Sequence, residues 1–199
     1  MARMKFLCDT ERCIECNGCV TACNNEHDVP QGINRRHVVT LRDGDKGEKS
    51  MSVACMHCTD APCAAVCPVD CFYTTADGIV LHDKELCIGC GYCFYACPFG
   101  APQFPEQSAF ASRSKMDKCT FCAGGPPTDN SAEEYSQYGR NRIAEGKLPL
   151  CAEMCATKAL LAGDGNIVSD IYRKRVAKRG SRADMWSWSN AYDFGKGKE

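Results

Sequence analysis

The sequence predicts a loop-rich α+β fold made of two pseudo-symmetric modules, one nested inside the other. Three observations predict it. Cysteine accounts for 18 of 199 residues, about 9%, a density typical of short disulfide-stapled domains and unusual in a chain this long. Sixteen of these cysteines fall into four runs, two adjacent in mid-chain and two divided between its ends. Between the runs lie short strand-like segments bounded by Gly, Asp and Pro, with one longer helical pattern near residue 170.

The first run is Cys13-x2-Cys16-x2-Cys19-x3-Cys23, and the second is Cys55-x2-Cys58-x4-Cys63-x3-Cys67-Pro68. The third is Cys87-x2-Cys90-x2-Cys93-x3-Cys97-Pro98, and the fourth is split, Cys119-x2-Cys122 and then, 28 residues later, Cys151-x3-Cys155. Thiols this close in sequence converge on a metal centre more readily than they pair as disulfides. Zinc is one alternative, but zinc ribbons use two separated pairs and need no third cysteine at the same spacing. Three thiolates at two-residue spacing wrap a loop around a 4Fe-4S cubane, one per iron, and a more distant thiolate takes the fourth iron. In two-cluster proteins the cysteine before Pro ligates the other cluster, so runs interlock in pairs. The third run fits that pattern fully. The first has Asn24 in place of Pro, the second has two extra residues before Cys63, and the fourth is interrupted.

Residues 68–82 read as two short strands about an Asp77-Gly78 turn. With Cys-Pro-Val-Asp-Cys-Phe-Tyr at 67–73, the stretch around runs two and three resembles a complete two-cluster ferredoxin. One ligand set is then Cys55, Cys58, Cys63 and Cys97, and another is Cys87, Cys90, Cys93 and Cys67. By elimination runs one and four pair, giving Cys13, Cys16, Cys19 with Cys155, and Cys119, Cys122, Cys151 with Cys23. The expected organisation is an outer ferredoxin-like module (1–50 plus 105–179), an inserted one (51–104) and a docking tail (180–199). Cys71 competes with Cys67 as a ligand, but Cys67 has the spacing and the following Pro. Cys71 and Cys8 are therefore read as packing thiols outside the ligand sets.

In chain order, 5–9 is an expected strand, and 36–41 with 50–54 an expected hairpin about a Gly, Asp and Lys-rich turn. The insertion 123–150 begins with Gly and Pro and continues as a helix over 131–142, with Ser131 as N-cap and Glu133 and Glu134 in the first turn. It is expected to cover a cluster or touch a partner. A strand at 159–162 precedes an amphipathic helix at 166–178, with Ile167, Val168, Ile171, Tyr172 and Val176 on one side and Arg173, Lys174, Arg175 and Lys178 on a solvated face. Trp186, Trp188, Tyr192 and Phe194 in the tail suit docking on another subunit. With sixteen ligand places filled by cysteine, His27, His37, His57 and His82 are read as groups flanking the ligands or facing solvent. Lys115 and Lys118, beside Cys119, are read either as charges that raise a cluster's potential or as ordinary surface lysines.

Twenty-four basic residues balance 25 acidic ones for a net charge of -1, which leaves no footprint for nucleic acid. No run of eighteen apolar residues suits a membrane-spanning helix, and residues 1–10 lack the apolar segment of a secretory signal. There is no Gly-rich nucleotide loop, no nucleophile with a paired base and no metal site with an open position. The expectation is electron transfer without bond-making.

The order of the runs, with the split fourth, resembles the iron-sulfur subunits of molybdopterin oxidoreductases over about residues 5–161. Cys-Ile-Glu-Cys-Asn-Gly-Cys at 13–19, Cys-Phe-Tyr-Ala-Cys-Pro-Phe-Gly-Ala-Pro-Gln-Phe at 93–104 and Lys-Met-Asp-Lys-Cys-Thr-Phe-Cys-Ala-Gly-Gly at 115–125 resemble the beta subunits of formate dehydrogenases. The resemblance implies four 4Fe-4S clusters, a large molybdenum or tungsten pterin catalytic partner and a cytochrome subunit or other acceptor. It also implies crossed pairing of runs one and four. The same relay serving a nitrate, polysulfide or sulfoxide reductase, or a free-standing polyferredoxin, is the alternative. Respiratory beta subunits of this kind carry a carboxy-terminal membrane helix that has no counterpart here. The implied setting is the periplasm, reached with a signal-bearing catalytic subunit and membrane-associated through a cytochrome, with the cytoplasm as the alternative.

Overall fold

The structure, a computed structural model, describes residues 3–105, 114–126 and 129–180. Along the chain these form β1 (Met4–Cys8), α1 (Gly18–His27), β2 (Arg36–Leu41), β3 (Lys49–Ala54), α2 (Pro62–Ala65), β4 (Phe72–Thr74), β5 (Val80–His82), α3 (Tyr92–Ala96), α4 (Ala132–Tyr138), α5 (Leu150–Glu153), β6 (Leu160–Asp164) and α6 (Gly165–Gly180). The content is mixed helix and strand, as expected. The expected docking tail lies, apart from Gly180, outside the described residues.

The strands form three antiparallel pairs. β2 and β3 make the expected hairpin, with Val38 opposite Ser52, and β4 and β5 make the second, with Tyr73 opposite Leu81. β1 pairs across the length of the chain with β6, Phe6 opposite Ala162. α6 packs on both of these strands, α1 packs against α5, and α2 against α3. The first and fourth runs are thereby brought together, as are the second and third.

A central cluster containing Ile79, Leu81, Phe121, Leu160 and Ala162, with Phe6 against it, ties the strand pairs to the fourth run. Nine of the 23 buried apolar side chains among the described residues are cysteines. So little aliphatic material gives a core that depends on what the thiols bind.

Three departures from the sequence reading have physical causes. Helices α1, α2, α3 and α5 were not expected, because four to ten residues rich in Cys and Ala offer no apolar 3.6-residue period to read. α4 starts on Ser131, whose hydroxyl accepts from Glu134 N at 3.1 Å, but stops at Tyr138 rather than 142. Gly139 there takes φ 82° and ψ -179°, a backbone region open essentially to glycine alone. In α6 only Val168 of the five expected apolar residues is buried, while Ile167 is 62% and Ile171 38% exposed. What seats the helix is Asp9, fully buried, which takes Arg179 and Arg175 as counter-charges.

Candidate iron-sulfur centres

All four cysteine runs fold alike despite their unequal spacing. In each, the residue before the second cysteine has a left-handed backbone: Glu15, His57, Gly89 and Phe121, with φ of 56°, 45°, 69° and 59°. For bulky Phe121 this is strained, and the turn it creates folds the Cys-x2-Cys loop back on itself. A short helix follows, and the third cysteine is always its second residue: Cys19 in α1, Cys63 in α2, Cys93 in α3 and Cys151 in α5. The fourth cysteine comes four residues later, at Cys23, Cys67, Cys97 and Cys155. Extra residues in runs two and four are spent before the helix and leave this geometry intact.

The thiols gather by fours. Cys55, Cys58, Cys63 and Cys97 line one small pocket, and Cys13, Cys16, Cys19 and Cys155 line another. Cys23 sits among Cys119, Cys122 and Cys151. Cys87 and Cys90 face Cys93, and Cys67 approaches Cys87 through Cys71, whose Sγ lies 3.5 Å from that of Cys67. Among the described residues no three Cys, His, Asp or Glu side chains converge as a single metal ion requires. Both cysteines outside the runs border these sites: Cys71 beside Cys67 and Cys87, and Cys8 on the cavity of the first run.

Main-chain N–H groups are aimed at sulfur. Ala101 N reaches Cys97 at 3.5 Å, Met116 N reaches Cys87 at 3.4 Å, Phe121 N reaches Cys119 at 3.4 Å and Leu160 N reaches Cys155 at 3.4 Å. Such donors favour a negatively charged sulfur. Burial works the other way on the free thiols, pushing Cys119 up to about 11 and Cys93 and Cys122 up to about 12. Iron must displace those protons when it binds. Cys87 is the opposite case, lowered to about 5 chiefly by hydrogen bonding with Cys71.

The surrounding charges are mostly buried and basic. Lys118, 1% exposed, borders the pocket lined by Cys55, Cys58, Cys63 and Cys97 and donates from Nζ to the carbonyls of Val80 at 2.5 Å and Cys119 at 3.2 Å. Lys115, by contrast, is at the surface, paired with Glu85. Arg35 and Arg36 are both buried beside the thiols of runs one and four; the sequence reading used Arg36 only as a strand residue. The signal it missed was polar residues at inward positions of a hairpin: Arg36, Ser50 and Ser52 are buried, while Val39 and Leu41 are more than 40% exposed.

Three of the four histidines are buried. His27 Nε2 lies 3.1 Å from Cys122 Sγ, and burial followed by the charge of Arg35 lowers its pKa to about 3. His57 accepts from Val80 N through Nδ1 at 3.2 Å and packs edge-on against Phe121, and His82 packs edge-on against Tyr138. Burial, then Lys118, keeps both well below the ordinary histidine range. His37 is exposed, 2.9 Å from the Gln103 amide. The insertion closes over this region, with Tyr138 OH accepting from Lys84 N at 2.7 Å and Gly139 against His27.

The donor set suits a cubane rather than a lone ion: thiols only, grouped by fours, with N–H donors and unneutralised buried cations around them. Comparison with known proteins agrees. A 4Fe-4S dicluster domain matches residues 47–127. The chain is 66% identical to the formate dehydrogenase iron-sulfur subunit of Wolinella succinogenes, over 96% of this chain and 97% of that one. It is 34% identical to the thiosulfate reductase electron transfer subunit of Salmonella typhi, over 88% of both chains. With a subunit of the anaerobic dimethyl sulfoxide reductase of Escherichia coli the identity is 33%, over 78% of this chain and 70% of that one. Sixteen cysteines in four runs correspond to four 4Fe-4S clusters. By framework and by similarity alike, the chain belongs to the iron-sulfur electron-transfer subunits of molybdopterin oxidoreductases, the non-catalytic conductors of those complexes.

Proposed function

We propose that this chain conducts electrons from a larger subunit, which oxidises formate at a molybdenum or tungsten pterin, to a cytochrome subunit or another acceptor. The observation that carries formate is the 66% identity over nearly the whole length to a formate dehydrogenase subunit, against 34% and 33% for relatives named for thiosulfate and dimethyl sulfoxide. Periplasmic placement, with export on a signal-bearing catalytic subunit, follows from the resemblance drawn from sequence. No helix among the described residues is long and apolar enough to cross a membrane, so anchoring through a cytochrome partner is part of the same proposal.

The proposed ligand sets are Cys13, Cys16, Cys19 and Cys155; Cys23, Cys119, Cys122 and Cys151; Cys55, Cys58, Cys63 and Cys97; and Cys67, Cys87, Cys90 and Cys93. Shared cavities support the first and third, and mutual proximity supports the second. Packing of α1 on α5 and of α2 on α3, with the repeated turn-then-helix geometry, supports two pseudo-symmetric modules, 1–50 plus 105–179 and 51–104, the β2–β3 hairpin spanning their junction. The segment 180–199 is proposed to dock on a partner.

When bound, each cluster takes up and passes on one electron. The protein's part is to fix the thiolates, aim N–H groups at their sulfur and keep buried cations beside them. Those donors and cations favour the electron-loaded state.

The test is to isolate the complex anaerobically and add formate. Loss of visible cluster absorbance and appearance of reduced-cluster paramagnetic resonance signals are expected. A fully loaded complex that dithionite reduces and formate does not would overturn the proposal.

A further inference from the structure

Arg35 and Arg36 are neighbours in sequence, both buried, and neutralised differently. Arg35 holds the carboxylate of Asp117, Nε to Oδ1 at 2.5 Å and Nη2 to Oδ2 at 2.9 Å. Arg36, 1% exposed, lies over the Phe6 ring with its guanidinium carbon 4.3 Å from the centroid, and donates from Nη1 to Ser52 Oγ at 3.0 Å. Its Nε and Nη2 are buried and make no hydrogen bond to an oxygen or nitrogen of the protein. The ionisable groups around it are the thiols of Cys151, Cys119, Cys23, Cys19 and Cys8 and the imidazole of His57. Ser52 Oγ in turn lies 3.2 Å from Cys19 Sγ.

A buried guanidinium without a counter-charge is strongly destabilising, and arginine does not shed its proton to escape. Something anionic must stand opposite the two orphaned donors. Cys19 belongs to one proposed ligand set and Cys23, Cys119 and Cys151 to another, so the guanidinium lies between two sites that a reduced cluster would make more negative still.

We infer that Arg36 is the shared counter-charge of the two clusters held by runs one and four, a fixed cation that favours electron uptake at both. The inference rests on the ligand sets proposed above. One-electron reduction adds a negative charge to a cluster and changes no bond, and a permanent positive charge between the sites stabilises that state. Arg35 contributes less because Asp117 already neutralises it. Arg36 acts through the clusters' surroundings and is a positioning residue.

The experiment is a paramagnetic-resonance-monitored redox titration of the intact complex carrying Arg36→Gln or Arg36→Lys, with iron and labile sulfide measured first. Wild type with far fewer than about sixteen irons overturns the ligand sets themselves, and with them this inference. With wild type loaded, Arg36→Gln is expected to move two of the four reduction steps to lower potential. At a fixed potential their reduced-to-oxidised ratio falls by about tenfold, which is 59 mV for one electron. Arg36→Lys is expected to retain most of the wild-type behaviour. Loaded Arg36→Gln with unmoved steps, four steps moving equally, or Arg36→Lys shifting as far as Arg36→Gln would each overturn the inference. Should Arg36→Gln fail to hold iron, full loading of Arg36→Lys supports a counter-charge, and loss of iron from both overturns it.

Discussion

Arg35 and Asp117, 82 positions apart in sequence, meet in a two-pronged buried ion pair that Lys84 Nζ joins at 3.0 Å from Oδ2. The contact fastens the start of β2 to the segment entering the fourth run, where Asp117 also exchanges main-chain hydrogen bonds with Gln103. Burial would raise the Asp117 carboxyl, but Arg35 and Lys84 overcome this and hold it well below its ordinary 3.8.

Removing that carboxylate leaves two cations without a counter-charge. Asp117→Asn is expected to cost about 3–5 kcal/mol at neutral pH, a fall of about 10 °C in the unfolding midpoint of the iron-loaded protein. A depressed carboxyl stabilises above its unfolded pKa and loses that contribution as pH falls through the folded one. The gap between wild type and variant should therefore be complete above about pH 4 and close below it. Scanning calorimetry of the loaded proteins between about pH 6 and 8, where the thiolates keep their iron, is the measurement, and equal unfolding midpoints there would refute the assignment.

Cys67 and Cys71 stand 3.5 Å apart, sulfur to sulfur, yet only Cys67 occupies the position four residues after a third cysteine. Cys67→Ser is expected to lose about a quarter of the iron, while Cys71→Ser keeps all of it. Iron and sulfide analysis of the two variants decides between them, and the reverse result would make Cys71 the ligand.

Gly139 is fixed by both backbone and neighbour. A Cβ there would lie 2.1 Å from His27 Nδ1, in a region of φ and ψ that alone costs about 1–3 kcal/mol for other residues. Gly139→Ala should lower thermal stability by at least that much and push His27 from Cys122, altering the resonance spectrum of the cluster that Cys122 serves. An unchanged spectrum with unchanged stability would show that the insertion does not hold His27.

Iron removal tests how much of the fold the clusters supply. With nine cysteines among the 23 buried apolar side chains of the described residues, the chain treated with acid and chelator is expected to lose its cooperative unfolding transition and most helical circular dichroism. A native-like apoprotein spectrum would mean that the strand pairs suffice.

The strands were legible because their signals are local: alternation at 36–41 and the Asp77-Gly78 turn. The short helices left no such trace, since their faces are made of ligands. Arg36 was missed for a related reason. A charged residue on a strand reads as solvent-facing when the interior is assumed apolar, and here the inward side of the hairpin is polar because thiols and what they bind lie behind it. His27 was named as a group flanking the ligands, but its contact with Cys122 joins positions 95 apart, which no local pattern encodes.

The closure of β1 on β6 bears on how the molecule is made. On the proposed ligand sets, the eight thiols of the inner pair are complete once residue 97 has left the ribosome, whereas Cys13, Cys16 and Cys19 wait for Cys155 and for residues 160–164 to zip against residues 4–8. Synthesis thus completes the proposed inner ligand sets first, and the earliest cysteines made are the last to meet all their companions.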